Sequence, residues 1–359
     1  MKKVVESLVI FACVLALTQL PVPLRAASNF YQRHNLVSDE TNTADHTDPN
    51  LVNAWGIAFN PNAVVWIADN GTGKATLYDG TGEIQALVVT VPLPTGVSGA
   101  STPTGIVFNS SSDFVVKKGA VSGAAAFIFA TEDGTISGWS PSVDQTNAIL
   151  MVDNSASGAV YKGITLAGNG TAHFLYATNF HNGTVDVFDS SFHPASLSRS
   201  FSDPTIPDGF APFGIQNFGG DIYVTYAKQD ADKHDDVKGR GFGYVNVFDS
   251  DGNLIRRVAS KGKLNAPWGL AMAPASFGKF SNRLLVGNFG DGKINAFDVA
   301  TGRAVGTLQV SQGKDLSIDG LWGLSFGNGV KDQPTNVLFF TAGPNQESDG
   351  LYGSIEPAE

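Results

Sequence analysis

Six times along the chain a short β pattern opens on Gly followed by Ile or Leu: Gly56-Ile57, Gly105-Ile106, Gly163-Ile164, Gly214-Ile215, Gly269-Leu270 and Gly323-Leu324. The intervals are 49, 58, 51, 55 and 54 residues. A self-similar unit of this length is one supersecondary element, and a four-stranded blade needs about 40–50 residues. The chain therefore reads as all-β, a six-bladed β-propeller. Each unit holds the Gly-Ile/Leu strand, an apolar strand ending in a small or polar residue, and a strand that often ends in an aromatic. Fourth strands are expected at Ile84–Val91, Ala148–Val152, Leu197–Phe201, Leu254–Val258 and Ala304–Val310. The sixth unit has none before Glu359, and Phe30–Val37 is placed to supply it. Closing the last blade with this N-terminal strand leaves no blade without an outer strand.

Composition agrees. Charged residues are 16% and there are 41 Gly, as many short strands and tight turns require. Lys2 and Lys3 precede an apolar run from Leu8 to Leu17, followed by Pro21, Pro23 and the small residues Ala26 and Ala27. Residues 1–27 read as a secretory signal peptide, and 28–359 as one propeller domain. The run is shorter than the roughly 20 apolar residues that span a bilayer. The expected localisation is secreted or periplasmic, with no transmembrane segment after cleavage. Cys13, the single cysteine, lies in that segment, so the mature chain has no thiol chemistry. The first 27 residues hold three basic and one acidic side chains. The remainder carries 20 basic against 32 acidic, a net −12, which disfavours nucleic acid as a partner. The expected state is a monomer.

In a propeller, the start of each innermost strand and the end of each second strand meet on one face. The residues before the repeat Gly are Trp55, Thr104, Lys162, Phe213, Trp268 and Trp322. The second strands end at Asp69, Glu132, Asn179, Tyr226, Asn288 and Ala342. Together these positions are expected to ring the channel mouth. Trp55, Lys162, Phe213, Tyr226, Trp268 and Trp322 are the candidate ligand-binding residues, since aromatic faces suit sugars and other ring ligands. Asp69, Glu132, Asn179 and Asn288 are the candidate metal ligands, an oxygen set of the kind calcium takes. The plainer alternative is that the aromatics plug the axis and Lys162 pairs with Asp69 or Glu132. The loop Lys228–Gly243 carries Asp230, Asp232, His234, Asp235 and Asp236, and reads as a solvated hairpin or a loop metal site. Gly323-Leu-Ser325-Phe-Gly327 satisfies G-x-S-x-G, but that motif needs a strand–turn–helix context. Here it is the repeat strand itself, so Ser325 is no nucleophile.

Thr47-Asp-Pro-Asn-Leu-Val-Asn-Ala-Trp-Gly-Ile-Ala-Phe59, Phe129-Ala-Thr-Glu-Asp-Gly-Thr-Ile-Ser-Gly-Trp139 and Leu264-Asn-Ala-Pro-Trp-Gly-Leu270 resemble a family of secreted bacterial proteins of uncharacterised function. The resemblance implies a propeller and export. Some members carry a C-terminal envelope-sorting tail, which the ending Ser-Ile-Glu-Pro-Ala-Glu359 does not match. More distantly, the units are similar to NHL repeats and to gluconolactonase and paraoxonase propellers. Those enzymes hold a catalytic divalent cation with residues that include the position before the repeat Gly. Here that position is Trp, Thr, Lys, Phe, Trp and Trp, which argues against the same chemistry. The expectation is an exported propeller binding a carbohydrate or other envelope component at an aromatic channel mouth. The alternatives are a divalent-metal-dependent hydrolase or sugar-acting lyase, and a protein-interaction scaffold.

Overall fold

The computed structural model describes residues 28–358. The expected signal segment 1–27, with Cys13, lies outside them. The described chain is a six-bladed β-propeller. Its innermost strands are Ala54–Phe59, Pro103–Phe108, Tyr161–Gly168, Phe210–Phe218, Pro267–Met272 and Leu321–Phe326, one per blade in chain order. Blades 1, 2, 4 and 5 have four strands. Blade 6 is completed by Tyr31–Ser38, antiparallel to Leu351–Pro357, with Tyr31 opposite Pro357 and Ser38 opposite Leu351. The ring is therefore closed by the N-terminal strand, as expected.

The repeat Gly has a physical cause. Each innermost strand runs beside its neighbour around the axis, and the Gly faces the backbone of the next blade. A Cβ at Gly56 would lie 2.5 Å from the Thr104 carbonyl oxygen; at Gly214, 2.1 Å from that of Trp268; at Gly269, 2.4 Å from that of Trp322; and at Gly323, 2.7 Å from that of Trp55. No real Cβ approaches so closely, so only Gly fits. Threonines tie the same seam. Thr104 Oγ1 donates to the Tyr161 carbonyl at 2.7 Å, and Thr178 Oγ1 to that of Phe213 at 2.7 Å.

The core is six apolar wedges, one between each pair of adjacent blades. Trp66, Ala68 and Leu77 of blade 1 meet Ile106, Phe127 and Trp139 of blade 2. Val65, Ile67 and Tyr78, on the opposite face of blade 1, meet Phe339 and Tyr352 of blade 6. Second strands are thus buried on both faces, which is why they read as continuous apolar runs rather than alternating ones.

Several outer strands depart from expectation. Leu197–Phe201 forms no strand, and blade 3 has three strands. After the third strand Thr184–Phe188, pairing stops at an isolated Phe188–Pro194 bridge. Pro194 lacks the N–H that a ladder needs, and Phe192 and Phe201 adopt left-handed φ of 66° and 52°. A groove of about 570 Å³ opens between Thr184–Phe188 and Pro194–Phe201. Ile84–Val91 contracts to Val89–Thr90, and Ala304–Val310 divides into Ala304–Thr307 and Gln309–Ser311. The long loop Ser110–Ala125 contains a hairpin, Val115–Lys118 with Val121–Ala124.

Candidate functional site at the channel mouth

One register detail decides which side chains reach the axis. Asp69 pairs with Ala54, Thr131 with Pro103, Asn179 with Tyr161, Tyr226 with Pro212, Asn288 with Pro267 and Ala342 with Leu321. These six positions are equivalent. Glu132 is one residue further on, and its equivalents are Asn70, Phe180, Ala227, Phe289 and Gly343. A one-residue step turns a side chain to the opposite face. The four expected metal ligands are therefore not brought together. Asn179 stays in its own blade, where its Nδ2 donates to Asp186 at 2.9 Å. Asn288 Nδ2 donates to the Lys263 carbonyl at 2.8 Å and to Asp291 at 3.0 Å. Asp69 is fully buried inside blade 1. Tyr226 belongs to the wedge between blades 3 and 4, not to the axis. Glu132 alone of this expected metal set stands at the mouth.

The pre-Gly aromatics form a plug. Trp55 and Trp322 stack at 3.5 Å between ring centroids, Trp322 stacks on Phe289 at 3.9 Å, and Phe213 lies 5.9 Å from Trp322. Trp268 meets Trp55 and Trp322 edge-on at 6.0 and 5.7 Å. Trp55, Phe213 and Trp322 are at most 2% exposed. Half-buried Trp268 lines a narrow axial cavity of about 40 Å³ together with the repeat Gly and Ile/Leu residues. The aromatics are thus a floor and wall, with little ring surface left for stacking.

Above this floor lies a polar chain that starts from the plug. Trp322 Nε1 donates to Asn53 Oδ1 at 3.3 Å. Asn53 Nδ2 donates to Asn70 Oδ1 at 3.1 Å and to Glu347 Oε1 at 3.3 Å, and Asn70 Nδ2 donates to Glu132 Oε2 at 2.8 Å. Glu132 Oε1 accepts from Lys162, whose ammonium also donates to Asp235 Oδ1 at 3.1 Å. Lys162 is 1% exposed and sits 5.2 Å over the Trp55 ring. Burial works against its charge, but Glu132 and Asp235 outweigh that and hold its pKa above the usual lysine value. Asp235 Oδ1 also meets His234 Nδ1 at 2.9 Å. That contact raises the imidazole pKa and lowers that of the carboxylate.

Two loops carry residues onto this mouth. Gln229 anchors the first by donating to the Phe180 carbonyl at 2.6 Å, and Asp235 reaches Lys162 at the mouth while residues 231–235 stay exposed to solvent. The second, 343–349, holds Asn345, Gln346 and Glu347 at φ of 55°, 59° and 67°. Three successive non-glycine residues in the left-handed region cost on the order of 1 kcal/mol each. The turn is held by Asn345 N donating to Asp319 at 2.9 Å and by Asn53 N donating to the Asp349 carbonyl at 3.1 Å. Burial raises the Glu347 pKa and pushes Asp236 up to about 7.

Asp236 gives a pH prediction. Its folded pKa lies above the unfolded value near 4, so the folded state keeps a proton that the unfolded chain releases. This stabilisation is complete below about pH 4 and is lost as pH rises through 7. Asp236→Asn is therefore expected to match wild type at pH 4 and to exceed it at pH 8, by on the order of 3 kcal/mol. Urea denaturation at pH 4, 6 and 8 measures this; a difference independent of pH refutes it.

Glu132, His234 and Asp235 present ligand atoms within 4.8 Å of one another. They do not suit a divalent cation, because the Lys162 ammonium already engages both carboxylates and would repel it. His234, Asp235, Asp236 and Glu347 were not among the residues selected by repeat position. The signal for the first three was the acidic, histidine-bearing run at 230–236; Glu347 lies in a tip turn without one.

No family model matches the sequence. Two uncharacterised proteins of Acanthamoeba polyphaga mimivirus align with 93% of this chain. One is 36% identical over 342 residues, with 82% of its length covered; the other is 34% identical over 340, with 87% covered. The chain belongs to their family. These relatives are viral, whereas the sequence resemblance pointed to bacterial proteins. Among solved structures, a streptogramin B lyase superposes with TM-score 0.54 at 14% identity, covering 92% of this chain and 98% of that one. A gluconolactonase from Xanthomonas campestris gives TM-score 0.52 at 12% identity, covering 86% and 87%. At these identities the likeness shows the shared propeller fold.

Proposed function

We propose that this family member is an exported propeller that binds a small polyhydroxylated ligand, a carbohydrate or another envelope component, at its charged mouth. The observation that carries this reading is the polar layer centred on Lys162, assembled from Glu132, Asp235, His234, Asn53 and Glu347 over an apolar floor. Sugar hydroxyls both donate and accept, and this layer offers carboxylate acceptors beside amide and imidazole donors. Among the described residues the buried ammonium at the mouth, that of Lys162, is already neutralised by Glu132 and Asp235, and Lys238 stands over the Phe289 ring, which does not favour phosphate or nucleic acid. Export rests on residues 1–27. No helix among the described residues is long and apolar enough to cross a membrane.

Calorimetric titration against a panel of oligosaccharides tests this reading. His234 and Asp235 are exposed enough to be replaced without emptying the core. His234→Ala with Asp235→Ala is expected to weaken binding at least tenfold while the chain stays folded. A panel that wild type ignores, or binding that the double variant retains, overturns the reading.

A second reading is an enzyme of the lyase or hydrolase class. The observation favouring it is a carboxyl pushed by burial up to about 7, Asp236, two residues along the chain from His234, whose imidazole pKa is raised by Asp235; the Lys162 charge acts on both. General acid–base catalysis uses groups poised near neutral pH. Turnover of a panel ligand with a bell-shaped pH profile, flattened on its basic limb by Asp236→Asn, would establish it in place of simple binding.

A further inference from the structure

Asp69 differs from its equivalents in blades 3 and 5. Those positions hold the amides Asn179 and Asn288, which donate to Asp186 and Asp291 of their own blades. Asp69 is a carboxyl group, 0% exposed, with no donor in good hydrogen-bond geometry at Oδ1 or Oδ2; burial raises its pKa well above the usual carboxylate range, against the pull of the nearby Thr76 hydroxyl and N–H. Thr76 on the adjoining strand is 1% exposed, and its Oγ1 is also without a partner. Asp48, 4% exposed, is tied to the same strand pair through Tyr78. Its Oδ2 accepts from Tyr78 Oη at 2.9 Å, and its Oδ1 accepts from Asn50 N at 2.9 Å and Nδ2 at 2.8 Å. The register places Asp69 on the same face as Thr76 and Tyr78, since Asp69 pairs with Lys74, Ile67 with Thr76 and Val65 with Tyr78; burial and the charges of both aspartates push the Tyr78 phenol well above its usual value.

The positive charge that acts on Asp69 is that of Lys74, its partner across the ladder, and burial outweighs it. Among the described residues, neither Asp48 nor Asp69 forms an ion pair within 4 Å. Lys74 directs its ammonium to Asn50 Oδ1 at 2.6 Å. Buried carboxylates are almost always paired or metal-bound.

We propose that Asp48, Asp69 and Thr76 form a buried site for one hard divalent cation of the calcium class. The available donors are all oxygens, as calcium prefers, and a divalent charge balances two carboxylates. The placement gives the site a task. Asp48 lies on the segment leading from the closing strand into blade 1, and its N–H donates to the Ser38 carbonyl at 2.9 Å. Asp69 ends the second strand of blade 1. A cation between them clips the closing strand to the first blade and makes ring closure cation-dependent. The site is separate from the mouth and stands whether or not the mouth binds sugar.

The test uses the full chain stripped by a chelator and titrated with calcium chloride. One calcium per chain is expected, with Tm raised by about 5 °C or more at saturation. Asp69→Asn installs the amide that blades 3 and 5 use; it is expected to fold and to lose calcium affinity at least 100-fold. Glu132→Gln is expected to keep it. Wild type whose Tm ignores calcium overturns the site, because the buried pair is then protonated or hydrated. Calcium binding lost in Glu132→Gln and kept in Asp69→Asn also overturns it, placing the cation at the mouth. Terbium emission excited through Tyr78 reads the unaltered chain: emission displaced by calcium supports the site, and absence of emission overturns it.

Discussion

Deleting residues 28–38 is expected to lower Tm by about 10 °C or more, or to yield a chain that aggregates. The strand Tyr31–Ser38 buries Tyr31, Leu36 and Val37, all at most 3% exposed. Each such side chain is worth about 1.5–3 kcal/mol of burial. Their sum is comparable to a large part of the 5–15 kcal/mol that typically separates folded from unfolded protein. The deletion also leaves Leu351–Pro357 as an unpaired edge, a template for aggregation. Tyr31 reaches further, donating to the Phe277 carbonyl at 3.0 Å and accepting from Phe280 N at 3.1 Å. It therefore joins the closing strand to the wedge between blades 5 and 6. Tyr31→Phe should cost only about 1–2 kcal/mol by comparison. Differential scanning calorimetry of both variants separates closure from this one contact; a deletion variant that melts with wild type would show that the ring holds without its clasp.

Gly214→Val is expected to destabilise the fold by about 3 kcal/mol or more. A Cβ there would meet the Trp268 carbonyl oxygen at 2.1 Å, and that oxygen is backbone of the next blade and cannot rotate away. Overpacking against movable side chains costs about 1–3 kcal/mol, so collision with fixed backbone should reach or exceed the upper end. The repeat offers its own control. At Gly163 the nearest neighbour of a Cβ is 3.2 Å away, and Gly163→Ala should cost less than Gly214→Ala. Gly219 has φ of 66° but open space around it, so Gly219→Ala tests backbone conformation alone, at about 1 kcal/mol. Chemical denaturation of the series should rank the variants by clearance. Equal losses at Gly163 and Gly214 would mean that interblade approach does not explain the repeat.

The innermost strands were legible because steric necessity writes them into the chain. Where two backbones approach, Gly is required, and the requirement recurs in five of the six blades, Gly163 having more room. Closure by the N-terminal strand was legible because Phe30–Val37 precedes the first Gly-Ile unit and has the strand pattern that the sixth unit needs. The outer strands were not, because their pairing depends on tertiary support. Leu197–Phe201 has strand-like residues, yet Pro194 and the left-handed Phe192 and Phe201 turn that segment away from the edge. The site was half legible. Lys162 and Glu132 stood out and meet at the mouth. Asp69, Asn179, Tyr226 and Asn288 were one residue out of phase, since each innermost strand or its pairing carries a bulge near the repeat Gly that no periodicity count records. Asp235 comes from a loop 73 residues beyond Lys162, a distance that only the folded ring closes.

The most direct measurement of the central claim is a crystal structure with the tightest-binding oligosaccharide of the panel. Ligand density is expected over the aromatic plug, within hydrogen-bonding distance of Asp235, His234 or Glu347 and clear of the buried faces of Trp55 and Trp322. Density instead in the groove beside Thr184–Phe188 of blade 3, with the mouth left to solvent, would contradict it.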